Sequence, residues 1–342
     1  MSEPDQNAIN AAARLLEAGK LVAFPTETVY GLGADAENPE AVASIYAAKG
    51  RPSNHPVIVH VAPDADIGYW VQAVPEEARK LIAAFWPGPL TLILKRASHI
   101  PDAVSGGQDS IGLRCPSHPV AQSLLRAFKG GRGGVAAPSA NRFGHVSPTT
   151  AQHVRDEFGS MDEGPLACVL DGGQSEVGIE STIVDLSRMA THGPVLLRPG
   201  QLGAAQIAAV IGIVPRQPDA AAPRASGTLE AHYAPRTPVA LVEPSDLGPI
   251  MQQLNGKGRQ AALIGYGDAL ALPAASLFML PAAADGYAHG LYAALRSADA
   301  AGADIILVEA PPRASAWQGV NDRLRRAAHD SQGVLERLLN AR

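Results

Sequence analysis

At 342 residues, 46% hydrophobic and 18% charged, the chain has the apolar content of a folded protein and the length of two domains, which excludes a disordered class. A formal net charge of -5 excludes a surface that grips nucleic acid over its whole extent and leaves only a local basic cleft. No stretch approaches the ~20 apolar residues of a membrane span. The acidic start Met1-Ser2-Glu3-Pro4-Asp5 is not a secretory leader. Cys115 and Cys168 each lie alone in an apolar run, as small buried hydrophobes of a reducing cytoplasm do, and not as a disulfide or metal pair.

In chain order, Ile9, Ala12, Ala13 and Leu16 predict an amphipathic helix closed by Gly19. Leu21 to Phe24 reads as a strand that Pro25 stops, since proline has no N–H for a ladder. The polar loop that follows, Thr26-Glu27-Thr28-Val29-Tyr30, presents hydroxyls and a carboxylate, and Gly31 and Gly33 are read as turn or close-approach positions. Asn38 and Pro39 read as the N-cap and first residue of a helix that Gly50 ends, so Lys49 and Arg51 reach one loop beside those hydroxyls. Two cations there suit a polyphosphate or a carboxylate, although such a pair also serves the helix dipole from the surface. If the pair meets phosphate, Arg51→Ala is expected to weaken polyphosphate binding and leave the fold intact, since surface substitutions usually cost under ~0.5 kcal/mol.

A strand at 57–61, a helix from Pro75, an almost wholly apolar strand at Leu90 to Leu94 and a strand at Ile111 to Cys115 come next. Arg114 stands among apolar neighbours, where a guanidinium is costly unless it meets an anion; an internal carboxylate and a ligand's carboxylate both remain open. After a helix at Val120 to Phe128 and a strand at Val135 to Ala137, the run Pro138-Ser139-Ala140-Asn141 places a hydroxyl and an amide at a strand end, with Ser147-Pro148-Thr149-Thr150 opening another helix. Gly130 to Gly134 precedes a strand and so is not a dinucleotide loop, and Gly173 with Gly178 lacks the Lys-Ser/Thr of a P-loop. Strands at Ala167, Thr182 and Val195 and a short helix to Ile211 complete an α/β unit with one mixed, open sheet. Val214 to Pro238 carries five prolines and little apolar periodicity, which predicts an extended linker. From Val239 strands and helices alternate again in a smaller Rossmann-like unit that lacks a dinucleotide fingerprint.

The ordered string from Phe24 to His60, together with Ser139-x-Asn141, Gly178-Ile179-Glu180-Ser181-Thr182 and His232-Tyr233-Ala234-Pro235, resembles the threonylcarbamoyl-adenylate synthases in their longer, two-domain Sua5-like form. The resemblance spans nearly the whole chain, with its specific motifs in the first two thirds. It implies a YrdC-like open, mixed, twisted sheet domain over 1–205, a proline-rich linker or lid over 206–237, and a Sua5 C-terminal α/β domain over 238–342. It further implies formation of threonylcarbamoyl-AMP and pyrophosphate from L-threonine, bicarbonate or CO2, and ATP, for threonylcarbamoyladenosine at position 37 of certain tRNAs. By position, Lys49 and Arg51 match the catalytic cations. Arg51, His55, Ser110, Ser139, Asn141, Ser147, Arg198 and Tyr233 match ATP contacts, and Thr28, His60, Arg114, Ala137 and Ser181 match threonine contacts. No protein metal site is implied; Mg2+ would accompany ATP.

Three departures stand out: His55 where asparagine is common, Ala137 where a hydroxyl residue occurs, and Ser226-Gly227-Thr228-Leu229 where the family usually reads Ser-Pro-Gly-Met. The expected setting is the cytoplasm, with downstream tRNA threonylcarbamoyl-transfer proteins as partners and at most a weak tRNA contact. The alternative, a double-stranded RNA or tRNA-binding module without catalysis, is opposed by the net charge and the lack of aromatic-basic interleaving. The related hydrogenase-maturation enzymes carry cysteine-rich zinc modules, which two isolated cysteines exclude. Because carbamates hydrolyse readily, the linker is expected to close over the nucleotide with Tyr233.

Overall fold

The computed structural model describes residues 5–159, 164–267, 274–331 and 333–340; residues 1–4 of the acidic start lie outside them. The chain divides into two compact units, Met1–Phe143 with Pro148–Thr228, and Gly144–Ser147 with Leu229–Arg342.

The strands of the first unit are β1 (Leu21–Phe24), β2 (Gly31–Asp35), β3 (Ile58–Val61), β4 (Leu90–Lys95), β5 (Ser110–Arg114), β6 (Gly134–Ala136), β7 (Leu166–Val169), β8 (Thr182–Asp185) and β9 (Val195–Arg198). They form one mixed sheet in the order β7-β1-β2-β6-β3-β5-β4-β8-β9. Helix Pro39–Lys49 shows why the flanking sequence was readable. Asn38 caps the amides of Glu40 and Ala41, Pro39 occupies the first turn, and Gly50 takes the left-handed conformation (φ 63°) that a side chain would oppose. Gly31 and Gly33 are not turn residues. Both lie in β2, and a Cβ at Gly33 would stand 2.9 Å from Phe24 and from Val135, so glycine is needed for close packing across the sheet.

Strand alternation sorts side chains to two faces. Val59, Leu92, Leu94, Leu113, Ala136 and Val184 point into the main core, against Val42, Ile45 and Leu81 of the covering helices. Each buried valine, leucine or isoleucine among them contributes ~1.5–3 kcal/mol by leaving water. The opposite face carries the polar residues. Its apolar middle, Ile58, Ile93 and Ile183, is packed by Ala222 and Ala225 of the proline-rich segment. That segment is therefore not wholly extended through solvent as its composition predicts: the Leu196 amide donates to the Arg216 carbonyl, the Arg216 amide to the Pro194 carbonyl, and Arg224 donates to the Asn54 and Gly106 carbonyls.

The second unit is a parallel sheet of β10 (Val239–Val242), β11 (Ala261–Tyr266), β12 (Ser276–Leu280) and β13 (Ile305–Glu309) in the order β10-β13-β11-β12. Helices Pro244–Gly256, Ala284–Ala300 and Gln318–Ala327 accompany it. The helix predicted from about Asp322 starts four residues earlier, at Gln318, continuing from a short turn at Ser315–Trp317 that buries Trp317, and it is not the last: Val334–Asn340 follows it.

Candidate active site

The site is assembled on the polar face of the first sheet by register. His60 pairs with Arg114 between β3 and β5. Leu92 pairs with Leu113 between β4 and β5, which sets Thr91 opposite Arg114. The Thr91 hydroxyl shares a 2.7 Å hydrogen bond with that of Ser181, just ahead of β8. Residues paired across strands project to the same side, so His60, Arg114, Thr91 and Ser181 make one row across four strands. Two residues back along β5, Gly112 keeps the floor low, since a Cβ there would meet Ile93 at 3.1 Å; two further back stands the buried Ser110.

Arg114 makes the internal bridge that its sequence context left open. Its Nη2 lies 2.7 Å from Glu27 Oε1, both side chains being buried, and its Nε donates to the Gly88 carbonyl at 3.3 Å. The partner is 87 residues away in sequence, which is why the carboxylate was not identified from the segment around Arg114. His60 is buried beside this guanidinium. Burial first, then repulsion by Arg114, lower its pKa to about 3, so it is a neutral imidazole. Its Nδ1 meets no hydrogen-bond partner among the described residues. The 26–30 loop is rigid: Thr26 Oγ1 bonds the Thr28 hydroxyl at 2.9 Å, donates to the Val29 carbonyl and accepts its amide. Tyr30 donates to the Gly173 carbonyl and accepts from the Gly172 amide, and burial pushes its phenol up to about 12. Ala137 is buried in the adjoining wall, its amide on the Ile58 carbonyl.

The cations form a second group. Arg198 donates through Nε to the Ser181 carbonyl at 3.0 Å, through Nη2 to the Ser181 hydroxyl at 3.2 Å, and through Nη1 to the Ser226 carbonyl at 2.8 Å. Arg51 donates to the Pro56 carbonyl at 2.7 Å and lies 3.4–3.5 Å from the Ser226 hydroxyl. It is only 7% exposed, which overturns the reading of Arg51 as a surface position where substitution costs little. Lys49 is buried and donates to the Ser139 and Asn141 carbonyls. Burial, then Arg51, hold its pKa well below the usual lysine value. Ser139 is half-buried and Asn141 buried. His55 packs its ring edge-on to Phe143 at 5.6 Å, and burial followed by Arg51 and Arg224 lowers its pKa.

The first unit thus holds Thr28, Lys49, Arg51, His55, His60, Ser110, Arg114, Ala137, Ser139, Asn141, Ser181 and Arg198. Ser147 and Tyr233 belong to the second unit. There Tyr233 is buried at φ 63°, stacked near Tyr292 (5.8 Å) and under Arg323 (5.4 Å). Arg296 donates to the Val146 carbonyl, and the Ala234 amide bonds the Gly144 carbonyl at 2.9 Å, fixing residues 144–147. Sequence reasoning missed Glu27, Thr91 and Ser226 as members of the constellation. Glu27 and Ser226 lay inside motifs already singled out, whereas Thr91 looked like one more strand residue. A separate cavity of about 640 Å³ between Glu37, Tyr69, Arg126 and Lys129 contains none of the predicted residues, and Lys129 there is paired with Asp35 and Glu37.

The arrangement presents a buried guanidinium, a neutral imidazole and hydroxyls at one end and three cations at the other. Among the described residues no group of three or more His, Cys, Asp or Glu could hold a metal, and no helix is long and apolar enough to cross a membrane.

Comparison with known proteins gives the family. A family model described as telomere recombination, covering Sua5, YciO and YrdC proteins, matches residues 14–200, and one described as threonylcarbamoyl-AMP synthase, C-terminal domain, matches residues 202–329. The threonylcarbamoyl-AMP synthase of Pyrococcus abyssi is 39% identical over 94% of this chain and 94% of its own length, and that of Bacillus subtilis 38% identical over 94% and 92%. The solved structure of P. abyssi Sua5 complexed with L-threonine superposes with a TM-score of 0.86 at 36% identity, covering 96% of each chain. With both domain models matched in order and relatives aligned from end to end, the chain belongs to the two-domain Sua5 family of threonylcarbamoyl-AMP synthases.

Proposed function

We propose that the chain forms threonylcarbamoyl-AMP and pyrophosphate from L-threonine, CO2 or bicarbonate, and ATP, and that the polar sheet face carries both halves of the reaction. The observation that supports this reading most directly is the continuous chain of contacts from Thr91 through Ser181 and Arg198 to Ser226 and Arg51, which joins the Arg114 end of the face to the cationic end. In the first half the threonine amine forms an N–C bond to CO2 and loses a proton, giving a carbamate. In the second, a carbamate oxygen forms a bond to the α-phosphorus, and the bond to the β-phosphate oxygen breaks to release pyrophosphate. No protein nucleophile is required, so the work is positioning and charge stabilisation.

In this reading Arg114 takes the threonine carboxylate, and Thr28, His60, Ala137 and Ser181 surround the amino acid. His60, being uncharged, can accept or donate a hydrogen bond without repelling the ammonium. Lys49 and Arg51 act on the reacting phosphates, with Arg198, Ser110, Ser139, Asn141 and His55 along the nucleotide. Ser147 and Tyr233 are proposed as further nucleotide contacts on the resemblance alone. Mg2+ is proposed to enter as the counter-ion of the triphosphate, part of the substrate. Work in the cytoplasm, hand-over to tRNA threonylcarbamoyl-transfer proteins and a weak tRNA contact are part of the same proposal.

The test is pyrophosphate release from ATP with and without L-threonine and bicarbonate, together with recovery of the mixed anhydride. Release that requires both co-substrates is expected. Release independent of threonine, or tight RNA binding without release, would sink the reading.

A further inference from the structure

We infer that Glu27 is the positioning residue of the amino-acid site: it turns one particular edge of the Arg114 guanidinium toward the substrate. The inference deepens the proposed function and rests on Arg114 receiving the threonine carboxylate.

A guanidinium can meet a carboxylate along two edges, the side formed by Nε and Nη2 or the end formed by Nη1 and Nη2. The protein crowds the first. Nε donates to the Gly88 carbonyl at 3.3 Å, and Nη2 stands 2.7 Å from Glu27 Oε1 in an ion pair rather than a directed hydrogen bond, while Nη1 makes no hydrogen bond among the described residues. An incoming carboxylate is left the end of the fork that Nη1 opens. Glu27 is itself immobile. Its Oε2 accepts the Ser117 amide at 3.1 Å and its carbonyl accepts the Val177 amide at 2.7 Å. It stands between Thr26 and Thr28, whose hydroxyls are bonded to each other. Glu27 thus ties the turn after β5 to the guanidinium through its carboxylate, and the segment ahead of Ser181 to the 26–30 loop through its backbone carbonyl. A second consequence follows from charge. With both side chains buried, the pair is close to neutral before substrate arrives, so a lone carboxylate gains less there than an α-amino acid whose ammonium offsets the added charge.

The full-length chain carries the test. Glu27→Gln keeps the shape and can still accept from Ser117 but cannot pair with Arg114. Equilibrium binding of L-threonine and steady-state pyrophosphate release are measured for wild type, Glu27→Gln, Glu27→Asp, Arg114→Lys and the double variant Glu27→Gln/Arg114→Lys. The expected result is a threonine Kd and KM raised at least tenfold in Glu27→Gln, with the KM for ATP within twofold of wild type. Glu27→Asp should recover part of the loss. The double variant should be little worse than Arg114→Lys alone, because both changes remove one interaction. An unchanged threonine Kd in folded Glu27→Gln, equal changes in both KM values, additive losses in the double variant, or failure of both Glu27 variants to fold would each overturn the inference and leave the synthase reading standing. Absence of threonine-dependent release in the wild type would instead overturn that reading.

Discussion

Both units bury cations, and they do so differently. In the second, Arg323 and Arg326 converge on Asp322 at 2.9 Å each, and Arg326 also holds the Leu229 carbonyl. Burial pulls the Asp322 carboxyl upward, and Arg323, Arg326 and the more exposed Arg325 together more than reverse that, leaving it below its ordinary value. In the first unit Lys49 donates to the Ser139 and Asn141 carbonyls with Glu157 and Glu180 near enough to act on its charge, and Arg51 and Arg198 also hold carbonyl oxygens. A carboxylate cancels a cation, whereas a carbonyl oxygen only solvates it. The Asp322 arrangement holds chain segments in place; in the reading proposed above, the cations of the first unit meet phosphate. Arg114 lies between these cases, paired with Glu27 yet offering an edge.

The largest effect should come from breaking the cancelled set. Asp322→Ala leaves Arg323 buried without its counter-ion, a loss of ~3–5 kcal/mol. A urea midpoint close to wild type would refute the structural role. Next, Arg198→Ala should lower pyrophosphate release by ~10²–10³, the scale of losing one pre-organised charge contact. Measured at a temperature where the variant is folded, unchanged ATP affinity and rate would move Arg198 out of the nucleotide site. Arg114→Lys should then raise the threonine requirement well above the ATP requirement, since an ammonium cannot replace the planar fork; equal effects would remove Arg114 from the amino-acid end.

A smaller effect concerns pH. The His60 pKa is depressed to about 3 in the folded chain, against an ordinary 6.5. Below pH 6.5 the unfolded chain therefore binds a proton that the folded chain refuses. The stability contributed by a neutral His60 is complete above that pH and is lost on acidification toward 3, with a slope of up to ~1.4 kcal/mol per pH unit. Urea midpoints at pH 7.5 and 5 should diverge less in His60→Asn than in wild type. The smallest effect should follow Lys95→Ala, whose partner Asp109 is exposed, at under ~0.5 kcal/mol; a large loss would show that surface pairing also matters.

What could be read from the sequence was whatever short-range chemistry dictates. Asn38-Pro39 and Gly50 delimit their helix because capping and left-handed φ act within a few residues. The same locality misled at Gly31 and Gly33, where what would crowd a Cβ lies across the sheet: Ala137 and Phe24 at Gly31, Phe24 and Val135 at Gly33. It also left Ser276–Leu280 unread, because its residues are partly exposed and show no clean alternation. At the site, motif order placed the candidates on adjoining strands. Register then decided which shared a face, and register is a long-range property that pairs Arg114 with His60 54 positions earlier.

Strand β5 is also a measuring stick. Ser110 and Arg114 lie on one side of it, four residues apart, and at ~3.3 Å per residue the marks are ~13 Å apart. An extended backbone cannot be stretched further, and a slip of one position would turn both marks toward the core. In the reading proposed above, the separation between the nucleotide contact and the amino-acid contact is thus a length built into covalent geometry. A descendant of this protein that adapted to a longer or shorter acyl donor would have to move its marks by whole pairs of residues, so the set of lengths open to it is discrete.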